Sequence, residues 1–474
     1  MQPLHSTRGV ESWTRQLNSG PVSPHKRLIS SRVSAQRRVA MYEAGLCETL
    51  CRVCEESGLS PNPRVRDSLH CLDRDQITGR SSPSGLLDLS GGFRPDGLEA
   101  SVPTRVSDGD VLALCRVFAC LPGRVDGLNL RCNLIADDGA EAIASLLQEE
   151  SCWLTSLDLS LNDIGPRGAR ALGQVLQTNR SLMSLNLAGN KVGEEGGVSL
   201  ATALQTNVGL RSLDLHHCDL GTDSIIAFST ALSYNSSVEE LNLSRPLLFS
   251  LQEETTVHVA RMLRANRALR TLRLAKHGVR DFGARRLSEA LASNSSLTHL
   301  DLSCNLMARD GAASLALLLK QGSSLRVLDL GFNRIGDAGV TALARAVGSS
   351  GRSPLHTLVL VSNGATGEGL RELAVAMTTN RTLRSVHIWG NKLDRVACQV
   401  FAELLKSGRL KERHADVSAY EVDGRPYLAQ LQVKSPLLRI EVATSSPTSP
   451  PSSPPSSPSA SPPPSPLASS LDEW

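Results

Sequence analysis

No stretch of this chain approaches the roughly 18 consecutive apolar residues that a membrane-spanning helix needs, and the amino terminus carries no apolar segment of signal-peptide kind. The expectation is a soluble chain made in the cytosol. A GxxxxGK[ST] loop is also missing, which removes a P-loop nucleotide switch, and Gly367 and Gly369 lack the third glycine of a dinucleotide-binding turn. Neither HExxH nor GxSxG occurs, and the histidines are spread one by one. No enzyme, cofactor, metal or small-molecule substrate is therefore expected. The formal net charge is only +3 over 474 residues, so any preference for a charged partner must come from local patches. Aromatic side chains make up only 3% of the chain, and of these just Phe249 and Phe282 lie near its basic stretch, which would suit an acidic protein segment or RNA but has too few rings for a stacking platform, so nucleic acid is the less expected partner. Regular cysteine pairing is absent as well: eleven cysteines are scattered, several of them just before a recurring asparagine, as reduced intracellular thiols would be.

What is present is a repeat. The phrase LxxLxLxxN recurs about every 28 residues, as in LTSLDLSLN ending at Asn162, LMSLNLAGN at Asn190, LTHLDLSCN at Asn305 and LRVLDLGFN at Asn333. A glycine and an apolar pattern at helical spacing follow each copy, for example Gly311, Leu315, Leu318 and Leu319, so each unit predicts one strand and one helix. The positions equivalent to the asparagine are Asn133, Asn162, Asn190, Cys218, Pro246, His277, Asn305, Asn333, Asn363 and Asn391, which number repeats one to ten; a weaker copy begins at Leu87 and Leu89. A strand with two inward leucines, such as Leu300 and Leu302, cannot bury its face alone, whereas stacked copies share one core. The asparagine suits the turn, where its amide can bond backbone groups of the neighbouring unit. The expected fold is an α/β leucine-rich-repeat solenoid (horseshoe), with parallel strands on the concave face and helices on the convex face.

The organisation that follows is a basic disordered leader over 1–40, a helical cap over 41–83, repeats over 84–415, a hairpin cap over 416–443 and a Pro/Ser-rich disordered tail over 444–474. The leader holds seven arginines and lysines against Glu11, and it reads as plain disorder, nuclear or nucleolar addressing, or a mitochondrial transit peptide. In the tail, Ser446, Ser449, Ser453, Ser457, Ser461 and Ser465 each precede proline and are candidates for proline-directed phosphorylation. The sequons at Asn179, Asn235, Asn294 and Asn380 all fall in the same helix-to-strand link, so they follow from the repeat consensus rather than from glycosylation. Cys47, Cys51 and Cys54 have ligand chemistry that zinc accepts, but their helical spacing suits the packed face of a helix.

Alternate strand side chains should pave the concave face, giving an exposed row of Asp158, Asn186, Asp214, Asn242, Arg273, Asp301, Asp329, Val359 and His387. Repeats four to six lose the asparagine together, and basic side chains gather there. His216, His217, Arg245, Arg273, Lys276 and His299 are the candidate partner-binding residues, with Trp389 a candidate interface anchor unless the hairpin covers it. The segment from Arg261 to Arg286 holds nine arginines and lysines against Asp281, with Phe282 and the nearby Phe249 as its aromatics.

With LxLxxN strands, an early helical glycine and this period, repeats two to ten resemble the ribonuclease-inhibitor class of leucine-rich repeats. Within that class RPLLFSLQEETTVHVARML from Arg245, LAKHGVRDFG around His277, YEVDGRPYLAQ and CRVCEESGLSPNP resemble a narrower family. That resemblance implies a nuclear or nucleolar protein, an acidic partner of nucleophosmin type, and a part in stem-cell pluripotency or germ-cell differentiation. Two relatives compete. NOD-like receptors, innate immune regulators, require the P-loop that is missing, and the Ran GTPase-activating protein carries an acidic tail where this chain has a Pro/Ser one.

Overall fold

A computed structural model describes residues 35–78, 85–91, 105–121, 123–150, 152–248, 253–349 and 353–431, with the side chains of 35–44 and 75–78 excepted. The leader up to residue 34, the six Ser-Pro sites and Phe249 lie outside the described residues. Two helices come first, α1 (Ala35–Ser57) and α2 (Pro63–Thr78). Helix α1 is kinked at Gly45, whose φ of 77° breaks the helical ladder, and the Asp73 carboxylate accepts from Leu46 N and Cys47 N, at 2.9 Å each, to restart it. Beyond the kink Leu46, Leu50, Val53 and Cys54 are buried together and Cys47 packs partly against them, whereas Cys51 is only half-buried, so two of the three cysteines belong to the packing face. Among the described residues no three His, Cys, Asp or Glu side chains are placed to hold a metal.

Eleven strands then pair in sequence order in one parallel sheet: β1 (Leu86–Asp88), β2 (Gly127–Asn129), β3 (Ser156–Asp158), β4 (Ser184–Asn186), β5 (Ser212–Asp214), β6 (Glu240–Asn242), β7 (Thr271–Arg273), β8 (His299–Asp301), β9 (Val327–Asp329), β10 (Thr357–Val359) and β11 (Ser385–His387). Equivalent positions stand abreast, Leu157 beside Leu185 and Leu185 beside Leu213, so the central leucines form an unbroken buried line. Each fully buried leucine contributes roughly 2–3 kcal/mol of transfer free energy, which no three-residue strand could collect by itself. A helix follows each strand on the other face, such as α5 (Pro166–Leu176) after β3 and α10 (Arg309–Gln321) after β8. The early glycine sets how closely these helices stack. A methyl group on Gly168 would lie 2.8 Å from both Ala140 Cβ and Asp137 Oδ1, and that same oxygen accepts from Gly165 N and Gly168 N to cap α5 from the neighbouring unit.

The turn asparagines form a second ladder. Asn190 Nδ2 donates to Leu159 O of the preceding unit at 2.9 Å and to Leu187 O of its own at 2.8 Å, while its Oδ1 accepts from Ile164 N at 3.0 Å. Repeats four and six keep this bond with other donors: Cys218 Sγ lies 3.0 Å from Leu187 O, and His277 Nε2 lies 2.9 Å from Leu243 O. Pro246 has no donor to offer. The mid-array departure from consensus is therefore a substitution of donors within a regular sheet, since β5, β6 and β7 stay in register.

The sequon asparagines make a third ladder at the opposite end of the strands. Asn179, Asn235 and Asn294 each give Nδ2 to the last carbonyls of the preceding helix, at Leu147 O, Leu204 O and Leu263 O, and each accepts from the backbone N–H three residues on. These amides are 5–8% exposed, so a glycan there would dismantle the cap that ends each helix. At the carboxyl end Arg409 takes over, its guanidinium donating to Met377 O, Asn380 O and Leu383 O.

Past β11 the free strand edge is covered. The Asp416 carboxylate accepts from Ile388 N at 2.9 Å and Trp389 N at 2.8 Å, so those donors have no edge to offer a second chain. A hairpin of β12 (Val417–Val422) and β13 (Arg425–Gln430) packs on helix α13 (Arg395–Lys406), turning at Asp423 and Gly424 with φ of 50° and 71°.

Candidate functional site

Two rows flank each buried central leucine on the inner face, and the structure corrects what was expected of one of them. The row from Asp158 to His387 was expected to be exposed; it is half-exposed at Asp158, Asn186 and Asp214 but buried at Asn242, Asp301, Asp329, Val359 and His387. The cause is spacing. Parallel neighbours roughly 4.8 Å apart hold equivalent side chains against each other, and the row seals itself. Asn186 Nδ2 donates to Asp158 Oδ2 at 3.1 Å, and Asn242 Nδ2 donates to Asp214 Oδ2 at 3.0 Å.

One pair breaks this alternation. Asp301 and Asp329 stand abreast, each 8% exposed, and among the described residues only a backbone N–H is bonded to one oxygen of each: Ser303 N at 2.8 Å and Gly331 N at 2.9 Å. Burial, and then the charge of Asp301, push the Asp329 carboxyl up to about 7. An acid raised in the folded state favours folding below its ordinary range and loses that contribution as pH rises toward 7. Asp329→Asn should therefore stabilise the protein above neutral pH by about 2 kcal/mol, because its amide can donate to Asp301 as Asn186 does to Asp158, and should do little near pH 4. Melting temperatures of the two proteins across that range check this; a loss of stability at pH 8 would reject it.

The other candidates sit at the strand ends. His217, Arg245 and Lys276 occupy the eighth position of repeats four, five and six, with φ of 54°, 59° and 60°. That left-handed backbone aims each exposed side chain off the sheet while its N–H bonds the next unit, as Arg245 N does to Ala275 O at 2.8 Å. His216 and His299 are half-buried on the inner face, and burial foremost lowers both imidazoles; Arg273 and Arg326 lower His299 further. Arg273, half-buried, stands abreast of Asp301. Trp389 is half-buried against the core. The nine-residue basic segment disperses: Arg264 and Arg286 pair with Glu289 on the helical side, and Arg285 lies over the Phe282 ring.

Sequence reasoning missed the strand starts. The second position of the phrase reads Arg211, Glu239, Arg270, Thr298, Arg326, His356 and Arg384 over repeats four to ten, a signal available in the repeat alignment. Glu239 engages Arg270 at 3.4 Å and Arg211 at 3.9 Å, whereas Arg326 and Arg384 are exposed and His356 half-buried between them.

The family described as Leucine Rich repeat matches residues 128–144, 150–173, 178–201, 206–229, 293–316 and 323–344, in step with the strand–helix units seen in the structure. The chain is a leucine-rich-repeat protein. It is 51% identical over 191 residues to "Leucine-rich repeat-containing protein 34" of Homo sapiens, covering 40% of this chain and 41% of that protein. With the protein of the same name from Mus musculus it shares 46% identity over 191 residues, covering 40% and 46%. This leucine-rich-repeat protein thus matches less than half the length of those curated relatives. Among solved structures, an internalin from Listeria monocytogenes is 15% identical, covering 76% of this chain and 98% of that one, at a TM-score of 0.37. A score that low adds nothing to the strand ladder itself. Among the described residues no helix is long and apolar enough to cross a membrane.

Proposed function

We propose that this chain is a non-catalytic scaffold that holds an acidic segment of a partner protein against the inner face and strand ends of repeats four to seven. An acidic protein of nucleophosmin type, met in the nucleus or nucleolus, is the partner class this reading takes. The observation that carries it is the pair Arg245 and Lys276: adjacent, exposed, held off the sheet by left-handed backbone, and engaged by no carboxylate among the described residues. A surface of this kind recognises by charge complementarity spread over an area, and a standard contact would bury on the order of 1,600 Å² in total.

The test reverses Arg245→Glu and Lys276→Glu together. Arg273 is better left in place, since a glutamate there would stand beside Asp301, itself abreast of Asp329, and load the floor with a third carboxylate. Binding of a polyglutamate probe and of a purified acidic partner should weaken about tenfold, with a steeper loss at low salt than at high, while the melting temperature stays put. Equal binding by wild type and the double variant rejects the reading.

A further inference from the structure

Charge on the inner face changes sides along the array. In repeat five the strand start carries Glu239 and Glu240 and the strand end carries Arg245; in repeat eight the strand start carries Arg326 and Asp329 comes after it. Between these two units the basic groups step across the sheet, from Lys276 at the strand end of repeat six, through Arg273 in mid-strand, to His299 near the strand start of repeat seven. Beyond Arg326 the path keeps to the strand starts, at His356 and Arg384.

We propose that these groups form one oblique basic track that holds a single extended acidic stretch of a protein partner, running from the strand ends of repeats five and six to the strand starts of repeats eight to ten. This rests on the acidic-partner reading above and adds the partner's conformation, length and path across the sheet.

The members act on one another in sequence. Burial first, and then Arg273 and Arg326, hold His299 toward its neutral form, and burial, then Arg384 and Arg326, do the same to His356. Among the described residues Arg245, Lys276, Arg326 and Arg384 form no ion pair, so their charge is available. The ground on either side is less welcoming to an anion. Glu239 and Glu240 occupy the strand starts just upstream, and Arg211 and Arg270 are already drawn to Glu239. The two carboxyls on the floor, Asp301 and Asp329, are nearly covered, and Asp329 holds its proton close to neutrality.

Size follows from sheet geometry. Five strand steps of about 4.8 Å and six residues of about 3.3 Å along the strands give a diagonal of roughly 30 Å, which an extended peptide covers with about nine or ten residues. A single-stranded nucleic acid could follow the same charges, but none of the track's members is a Phe, Tyr or Trp, the large rings on which bases stack best. Carboxylates are the better match.

The experiment uses the full chain and fluorescence anisotropy with three labelled probes: polyglutamate of about ten residues, polyglutamate of about five, and an oligouridine of about ten nucleotides. The long peptide should bind at least tenfold more tightly than the short one. Arg326→Glu/Arg384→Glu and Arg245→Glu/Lys276→Glu should each cut long-peptide affinity about tenfold, and acidification from about pH 7.5 to 5.5 should raise it as His299 and His356 gain charge beside the bound carboxylates. All four substituted side chains are exposed, so unchanged melting temperatures report intact folding. Loss confined to the Arg245/Lys276 variant overturns the track and leaves the acidic-partner reading standing. No loss in either variant overturns both. Oligouridine binding as tightly as the long peptide overturns the protein assignment.

Discussion

Asn305→Ala is expected to lower the stability of the repeat array by about 3 kcal/mol, far more than a surface asparagine would. The side chain is 3% exposed and bridges two units: Nδ2 donates to Leu274 O at 3.0 Å and Leu302 O at 2.9 Å, and Oδ1 accepts from Val279 N at 3.0 Å. Alanine strands two buried backbone groups, Leu274 O and Val279 N, while Leu302 O keeps its bond from Asn333 Nδ2, and each stranded group costs on the order of 1–3 kcal/mol unless water reaches it. Because units of a solenoid are coupled through their shared faces, the loss should appear in the whole transition, as a lower urea midpoint with little change in slope. Asn305→His offers a comparison, since His277 already fills the equivalent slot with a donor to Leu243 O. If Asn305→Ala costs less than about 1 kcal/mol, the amide ladder is not what joins the units.

The same bonds explain which parts of the protein could be read in advance. Leucine spacing and the turn asparagine are short-range signals repeated many times, so strand, helix and register were legible at Leu157, Leu185 or Asn190 from any one copy. The sealed row was not. Whether Asp301 faces water depends on what stands abreast of it in two other units, and alternation within one strand says nothing about that neighbour. The asparagines at 179, 235 and 294 are repeat-consensus residues, as their shared place in the helix-to-strand link says, but their role as caps on the preceding unit's helix lies across about 30 residues of chain, where no local pattern reaches. The strand-start arginines leave no mark in the consensus phrase, whose second position is variable, whereas the loss of the asparagine does. Arg326 and Arg384 belong to units that kept it, and only the side-by-side stacking places them in one sheet with the units of Arg245 and Lys276.

A second large effect is expected on acidification. His277 is 6% exposed, and burial holds its imidazole down at about 4 against an ordinary 6.5, even though its bond to Leu243 O favours the protonated ring. Folded protein therefore keeps the ring neutral over a range in which the unfolded chain binds a proton. The stability tied to the neutral ring is present in full above pH 6.5 and is lost as pH falls through 4, by about 3 kcal/mol for a displacement of this size. His277→Asn restores the donor used in other repeats without a titrating ring, so it should match wild type at pH 7 and outlast it by several degrees at pH 4.5. Half-buried His216, His299 and His356 carry depressed imidazoles of the same sign, but they are common to both proteins and cancel in the difference. Asp337 and Asp394, held low by the backbone N–H groups they cap, act below the carboxylate range and cancel likewise. A melting-temperature difference that stays flat from pH 7 to 4.5 would mean that His277 is reached by water in the folded state, and that the sixth repeat is joined to the fifth more loosely than its bond to Leu243 implies.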